Sequence, residues 1–273
     1  MQDLQEYKEE LRKVIAEYKE LRIGEQVDYQ KFYLYSLITH STAIEGSTVT
    51  ELENQMLFDE GISANGRPMI EQLMNLDLKK AYEQAFQRAE QHSPITVELL
   101  KEWSAWVMRN TGGLYKTLTG DFDSSKGDLR LVNVTAGVGE KSYMNYLKVP
   151  ARLTSFCEQL NEKRETLLKE PDDMTAYLMS FDAHNQLVAI HPWVDGNGRM
   201  SRLLMNYLQV EFGLIPTKIL KEDKTEYIQA LIDSREEESL RPFQIFMLKE
   251  HIQNLKKEIS QFKDSMADDV LLS

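Results

Sequence analysis

Thirteen consecutive positions, residues 190–202, read IHPWVDGNGRMSR and bring together one histidine, one aspartate, one asparagine, two glycines and two arginines. Neither an ordinary helix face nor a strand has a use for that mixture. Gly196 and Gly198 flank Asn197, so the backbone can turn sharply and gather its N–H groups on one side. A helix starting near Gly198–Arg199 would point unpaired amides and its positive dipole end back into the loop, an arrangement that attracts phosphate. Arg199 and Arg202 are three residues apart, fall on one helix face and can clamp separate phosphates. Asp195 is the odd carboxylate in a cationic setting, and Mg²⁺ bridging it to phosphate oxygens resolves the clash. His191, placed just before Pro192, has an ordinary pKa of about 6.5 and suits the taking of a proton near neutrality. Phosphate clamp, metal carboxylate and nearby base describe phosphoryl- or nucleotidyl-group transfer to a hydroxyl.

Competing chemistries lack their residues. There is no G-x-x-x-x-G-K-[ST] loop and no G-x-G-x-x-G after a strand, and the five histidines show no H-E-x-x-H pattern. The single cysteine, Cys157, allows neither an internal disulfide nor a zinc cluster and suggests a reducing compartment. A formal net charge of −12 argues against a protein that grips nucleic acid. No run of about 18 apolar residues implies a membrane span, and the charged N-terminus does not read as a signal peptide. The expectation is a soluble cytoplasmic protein with no nucleic-acid or membrane partner.

The elements that must position the loop are mostly helical. Leu4, Tyr7, Leu11, Val14, Tyr18 and Leu21 make one apolar stripe over residues 3–22, suited to packing within the chain or, alternatively, to a homodimer seam. A second helix is expected over about 27–45, with Gly46 as a left-handed C-cap. Thr50 with Glu53 forms a capping-box start. Further helices are expected at 67–91 and at 94–109, the latter opening on Pro94. Residues 112–150 change character: LRLVNVTA (129–136) alternates like a strand and GVGE supplies a turn, so a loop followed by a small hairpin is expected. Helices return at about 150–169, after Pro171 up to the signature, after the signature to Gly213–Pro216, and over residues 239–263. The fold class is mainly α with an island of β. The one boundary drawn lies near residues 92–95.

HPWVDGNGRMSR resembles the signature of the Fic (Fic/Doc) family, H-P-F-x-[DE]-G-N-G-R-x-x-R, with Trp193 where Phe is usual. AHNQLVAI before it, LLMNYLQVEFGLIP after it and GDLRLVNVTAGV upstream are similar to the family as well, so the resemblance covers roughly residues 94–250. It implies a Fic-type helical bundle with a hairpin flap and an enzyme that transfers AMP from ATP to a Tyr, Ser or Thr hydroxyl of a target protein, releasing pyrophosphate. It implies His191 as the base, Asp195 as the Mg²⁺ ligand, and Gly196, Asn197 and Gly198 as the anion hole. It likewise implies Arg199 on the phosphates, Arg202 on the γ-phosphate and Tyr227 against the nucleoside. The flap, near residues 132–148, would dock target backbone by strand addition. On this division residues 1–93 are an N-terminal helical region, 94–250 the catalytic core and 251–273 a C-terminal helix and tail.

STAIEG, residues 41–46, resembles the inhibitory motif [ST]-x-x-x-E-[GN] of one class of Fic proteins. Ser41 and Glu45 lie one turn apart, and Gly46 ends the helix just past the carboxylate. The helix dipole disfavours an acid at that end, so Glu45 gains by finding a cation elsewhere. The resemblance implies that the cation is Arg202 and that the enzyme is autoinhibited. Removal of AMP, transfer of another nucleotide, and a non-catalytic nucleotide- or phosphate-binding module remain as alternatives.

Overall fold

The computed structural model describes residues 3–135 and 142–272. The described residues form ten helices and one two-stranded antiparallel hairpin. The helices are α1 (Leu4–Glu20), α2 (Tyr29–Ile44), α3 (Glu51–Asp59), α4 (Met69–Ala89), α5 (Val97–Val107), α6 (Val149–Lys169), α7 (Asp173–Ile190), α8 (Asn197–Glu211), α9 (Lys224–Glu236) and α10 (Arg241–Leu272). The hairpin pairs β1 (Leu114–Thr117) with β2 (Gly120–Asp123). The mainly α class with a small hairpin is borne out.

Helices α7 and α8 form the centre. Nearly every side chain of α8 is buried, from Asn197 to Glu211, so it packs neighbours all round. Two of its polar side chains are answered inside the protein: Asn206 accepts from the Tyr82 hydroxyl at 2.8 Å, and Gln209 accepts from the Thr217 amide at 2.7 Å. Buried polar groups must be paired in this way or cost stability. Trp103, Tyr82, Tyr177, Tyr207, Phe156 and Phe243 fill the space around this pair of helices. One apolar core runs from Leu11 to Ile259 and includes residues on both sides of 92–95.

The α1 stripe packs within the chain. Leu11, Val14, Ile15 and Tyr18 are buried against α10, whose Ile252, Leu255 and Ile259 face them. Each such side chain contributes about 1.5–3 kcal/mol. Lys256 with Glu10 at 2.5 Å and Lys263 with Glu17 at 2.6 Å rim the contact. Asp3 caps α1 with Glu6 in a full capping box, and Thr50 does the same for α3 with Glu53.

One expectation is corrected and one is added to. The helix expected from Pro94 begins at Val97, because Thr96 takes the N-cap and accepts from the Leu99 amide at 3.1 Å. A two-stranded pair lies at residues 114–123, inside the stretch read as loop, where Tyr115 stacks on Phe122 across it. Over LRLVNVTA no regular strand forms among the described residues. Thr135 and Ser142 make an isolated antiparallel bridge, and the Tyr143 amide donates to the Val134 carbonyl at 3.0 Å. Residues 136–141, within the expected flap, lie outside the described residues.

Candidate active site

The signature loop joins the two central helices. His191 closes α7 in a left-handed conformation, φ 52°, with its amide still donating to the Leu187 carbonyl at 3.0 Å. Pro192 prevents the helix from continuing. Trp193 is fully buried and its indole N–H donates to the Gly127 carbonyl at 3.1 Å. Asn197 and Trp193 exchange hydrogen bonds of 2.9 and 3.1 Å, which folds the loop on itself. Gly196 is the N-cap of α8 at φ 79°, a conformation that favours glycine. No side chain caps this helix end, so its first-turn amides keep their capacity for an external anion.

The two arginines diverge. Arg199 is buried and turns toward the end of α5: it donates to the Met108 sulfur at 3.2 Å and lies 3.5 Å from an Asp195 oxygen. Its Nε is buried without a partner. Arg202 turns toward α2. Its Nε donates to the Ser41 hydroxyl at 2.8 Å, and its Nη2 donates to the Ser41 carbonyl at 2.9 Å and to Glu45 Oε1 at 2.6 Å. Tyr227 is buried behind Arg202, 3.4 Å from Nη1, with its hydroxyl also 3.1 Å from His184 Nε2.

Glu45 reaches this place because α2 ends there. The Gly46 amide donates to the Ala43 carbonyl and the Ser47 amide to the Thr42 carbonyl, with Gly46 at φ 106°, a Schellman end. A Cβ on Gly198 would stand 2.5 Å from Glu45 Oε1, so the carboxylate lies against the first turn of α8. Burial, the largest single influence, would raise the Glu45 pKa, but the charge and hydrogen bond of Arg202 together with the charges of Arg199 and Lys224 hold the carboxyl below its ordinary value. Burial, again the largest single influence, would lower Arg202, and the charge and hydrogen bond of Glu45 with the nearby Tyr227 and Tyr82 reverse this.

His191 is largely shielded from water. Burial lowers its pKa to about 4 against the opposing pull of the Val188 carbonyl, which lies 3.3 Å from Nδ1. The imidazole is therefore neutral at pH 7. A proton on Nδ1 directed at Val188 leaves the Nε2 lone pair available.

Asp195 fits a hard cation. Oδ1 accepts the Gly196 amide at 2.6 Å, and the side chain remains 62% accessible. Among the described residues no three His, Cys, Asp or Glu side chains gather as a metal cluster. A cation here would complete its shell with substrate oxygens and water, as Mg²⁺ does.

The structure thus brings His191, Asp195, Gly196, Asn197, Gly198, Arg199, Arg202, Ser41, Glu45 and Tyr227 into one region. Sequence reading missed Arg130. This buried arginine donates from Nε to the His191 carbonyl at 2.7 Å, from Nη1 to the Val132 carbonyl at 2.7 Å and from Nη2 to the Met144 carbonyl. Its signal was a lone cation inside the alternating run LRLVNV. Tyr143, stacked on His191, was missed too, and an aromatic in a loop gives no such signal.

Residues 94–209 match the Fic/DOC family model. The chain is 25% identical to the protein adenylyltransferase fic-1 of Caenorhabditis elegans over 89% of its own length and 44% of that relative. It therefore spans less than half of the curated relatives it matches. A Fic-domain-containing signaling protein from Bacteroides thetaiotaomicron has the same fold, with a TM-score of 0.73 at 21% identity over 93% of this chain and 97% of that one. The structure of IbpAFic2 covalently tethered to Cdc42 aligns with a TM-score of 0.52 at 14% identity, covering 88% of this chain and 70% of that one. Among the described residues no helix is long and apolar enough to cross a membrane.

Proposed function

This chain carries a Fic/DOC-family domain over residues 94–209, and we propose from it that the protein moves AMP from ATP to a hydroxyl of a target protein and is held back by its own Glu45. The hydroxyl oxygen attacks the α-phosphorus, the bond to the β-phosphate bridging oxygen breaks, and pyrophosphate leaves. His191 takes the hydroxyl proton, its neutral imidazole being ready at pH 7. Amides at the start of α8, with Asn197 bracing the loop from inside, receive the α-phosphate charge. Arg199, with its unpartnered Nε, serves the phosphates. Asp195 would hold Mg²⁺, which supplies charge neutralisation on the phosphate oxygens when bound. Tyr227 backs Arg202 from a buried position, and its contact with the nucleoside is proposed from the family resemblance. Residues 94–250 are the catalytic core and residues 1–93 bring the restraint.

One observation carries the reading. The Glu45 carboxylate is an internal anion seated on Arg202 and against the first turn of α8, where the γ-phosphate of ATP would need the same guanidinium. A site that accepts its own carboxylate is built for an anion, and it is already filled.

The test uses the Glu45→Gly protein, offered ATP labelled on either the α- or the γ-phosphate in the presence of cell lysate. Covalent label from the α-position alone is expected, with the label lost and ATP binding kept in Glu45→Gly/His191→Ala. Label from the γ-position, or none from either, contradicts AMP transfer. Equal behaviour with and without His191 would favour a nucleotide-binding module.

A further inference from the structure

Tyr143 lies on the base. Its ring and the His191 imidazole are nearly parallel, with centroids 3.6 Å apart and an interplanar angle of 13°. The ring is placed by local backbone pairing: the Thr135–Ser142 bridge immediately precedes it, and the Tyr143 amide donates to the Val134 carbonyl at 3.0 Å. The same backbone is tied to the signature loop. Arg130 donates to the carbonyls of Val132 and Met144 on one side and of His191 on the other, and its amide donates to the Pro192 carbonyl at 3.1 Å. Tyr143 and His191 thus belong to one hydrogen-bonded frame although 48 residues (191 − 143) separate them.

We infer that Tyr143 is the positioning residue of the base: its ring fixes the His191 imidazole by covering one face and leaves Nε2 open in the ring plane to an incoming hydroxyl. The kinetic part of this inference rests on the AMP-transfer reading above. The lone pair that accepts a proton lies in the plane of the imidazole, so a partner on the π-face restrains the ring without obstructing transfer. His191 gains from such restraint, because it sits past the end of α7 in a left-handed conformation with its Nδ1 3.3 Å from the Val188 carbonyl. The stacked phenol also keeps water from the ring, in keeping with the lowered pKa. Arg130 opposes the positive charge that proton uptake creates, while Asp195 and Glu45 favour it.

The experiment places Tyr143→Phe, Tyr143→Leu and Tyr143→Ala in the Glu45→Gly background. Phe keeps the stack, and kcat is expected to stay within about threefold of the background. Leu and Ala are expected to lower kcat about tenfold or more with KM for ATP unchanged, because loss of alignment acts on the chemical step. The acid limb of the pH profile should move up, toward the ordinary histidine value of about 6.5. An NMR titration of the His191 ring in the Leu and Ala proteins reads the same shift without turnover. If the Glu45→Gly protein transfers nothing, the functional reading fails, and the ring titration still decides the role of Tyr143. A parent-like kcat together with a parent-like His191 titration in Tyr143→Leu and Tyr143→Ala overturns the inference.

Discussion

Glu45 Oε1 lies 2.6 Å from Arg202 Nη2, a contact between residues 157 positions apart in sequence. About a third of the Glu45 side chain is accessible whereas Arg202 is buried, so the pair is intermediate between an exposed bridge and a desolvated one. Exposed pairs contribute about 0–1 kcal/mol, and charge-assisted hydrogen bonds about 1.5–3 kcal/mol. A hundredfold repression needs only about 2.7 kcal/mol. The Ser41 hydroxyl and carbonyl on the same guanidinium supply part of the remainder by orienting Arg202 toward α2.

The same carboxylate makes Gly198 sensitive. A Cβ there would stand 2.5 Å from Glu45 Oε1 and 3.1 Å from Arg202 Nη1. Gly198→Ala is expected to destabilise the parent protein and to cost clearly less in the Glu45→Gly background. Thermal or urea unfolding of the four proteins should give a coupling of about 0.5–3 kcal/mol. A cost that is the same in both backgrounds would mean the carboxylate does not lie against that turn.

Arg130→Lys should behave almost like Arg130→Ala. A lysine has no planar fork to serve the carbonyls of His191, Val132 and Met144 together. Either change strands buried acceptors and should cost about 2–4 kcal/mol in unfolding experiments. In the Glu45→Gly background, transfer should fall by at least about tenfold, since the carbonyl that sets the His191 backbone is released. Normal stability and transfer in Arg130→Lys would contradict the bracing role.

Acid should affect stability before it affects the base. Burial lowers His191 to about 4 in the folded protein, below the roughly 6.5 of the unfolded chain. A group with a depressed folded pKa contributes stability above the unfolded value and loses it as pH falls from about 6.5 toward 4. His184 and His251, lowered by burial as well, act in the same direction. Tm measured from pH 7 to pH 4.5 is expected to fall less steeply in His191→Asn than in the parent. Transfer by Glu45→Gly should stay flat from pH 8 to about 5.5, and an acid limb centred near 6.5 would contradict the buried neutral imidazole.

Much of this site could be read from the chain because its chemistry is local. His191 to Arg202 form one continuous turn, where glycine placement and a proline stop fix backbone direction without distant help. The Thr50 capping box is legible for the same reason. Arg130 and Tyr143 were not, because their roles depend on which backbone carbonyl or ring lies across the fold. The pair at residues 114–123 was not anticipated, because LYKT and GDFD are too short and polar to alternate as a strand does, whereas the expected pairing around 132–148 is seen only where Thr135 meets Ser142.

The seating of α2 includes buried polar contacts beside its apolar ones. Thr42 donates to Asn75 Oδ1 at 2.7 Å, Asn54 donates to Thr39 at 2.7 Å and to Asn75 at 2.8 Å, and Asn75 donates to Ser47 at 3.1 Å. These groups join α2, α3 and α4 in a buried network, and removing a hub leaves its partners unsatisfied. Asn75→Ala is expected to lower stability by about 2–3 kcal/mol and to raise basal transfer by loosening α2 beneath Glu45. Lower stability with basal transfer unchanged would show that the network holds the fold without holding the restraint.

The most direct measurement is the initial rate of AMP incorporation from α-phosphate-labelled ATP by the parent and Glu45→Gly proteins, side by side at equal concentration. If the Glu45 carboxylate occupies the anion site on Arg202, the glycine variant should label protein about 30- to 300-fold faster, or about 2–3.4 kcal/mol. Equal rates in two folded proteins would contradict that occupancy.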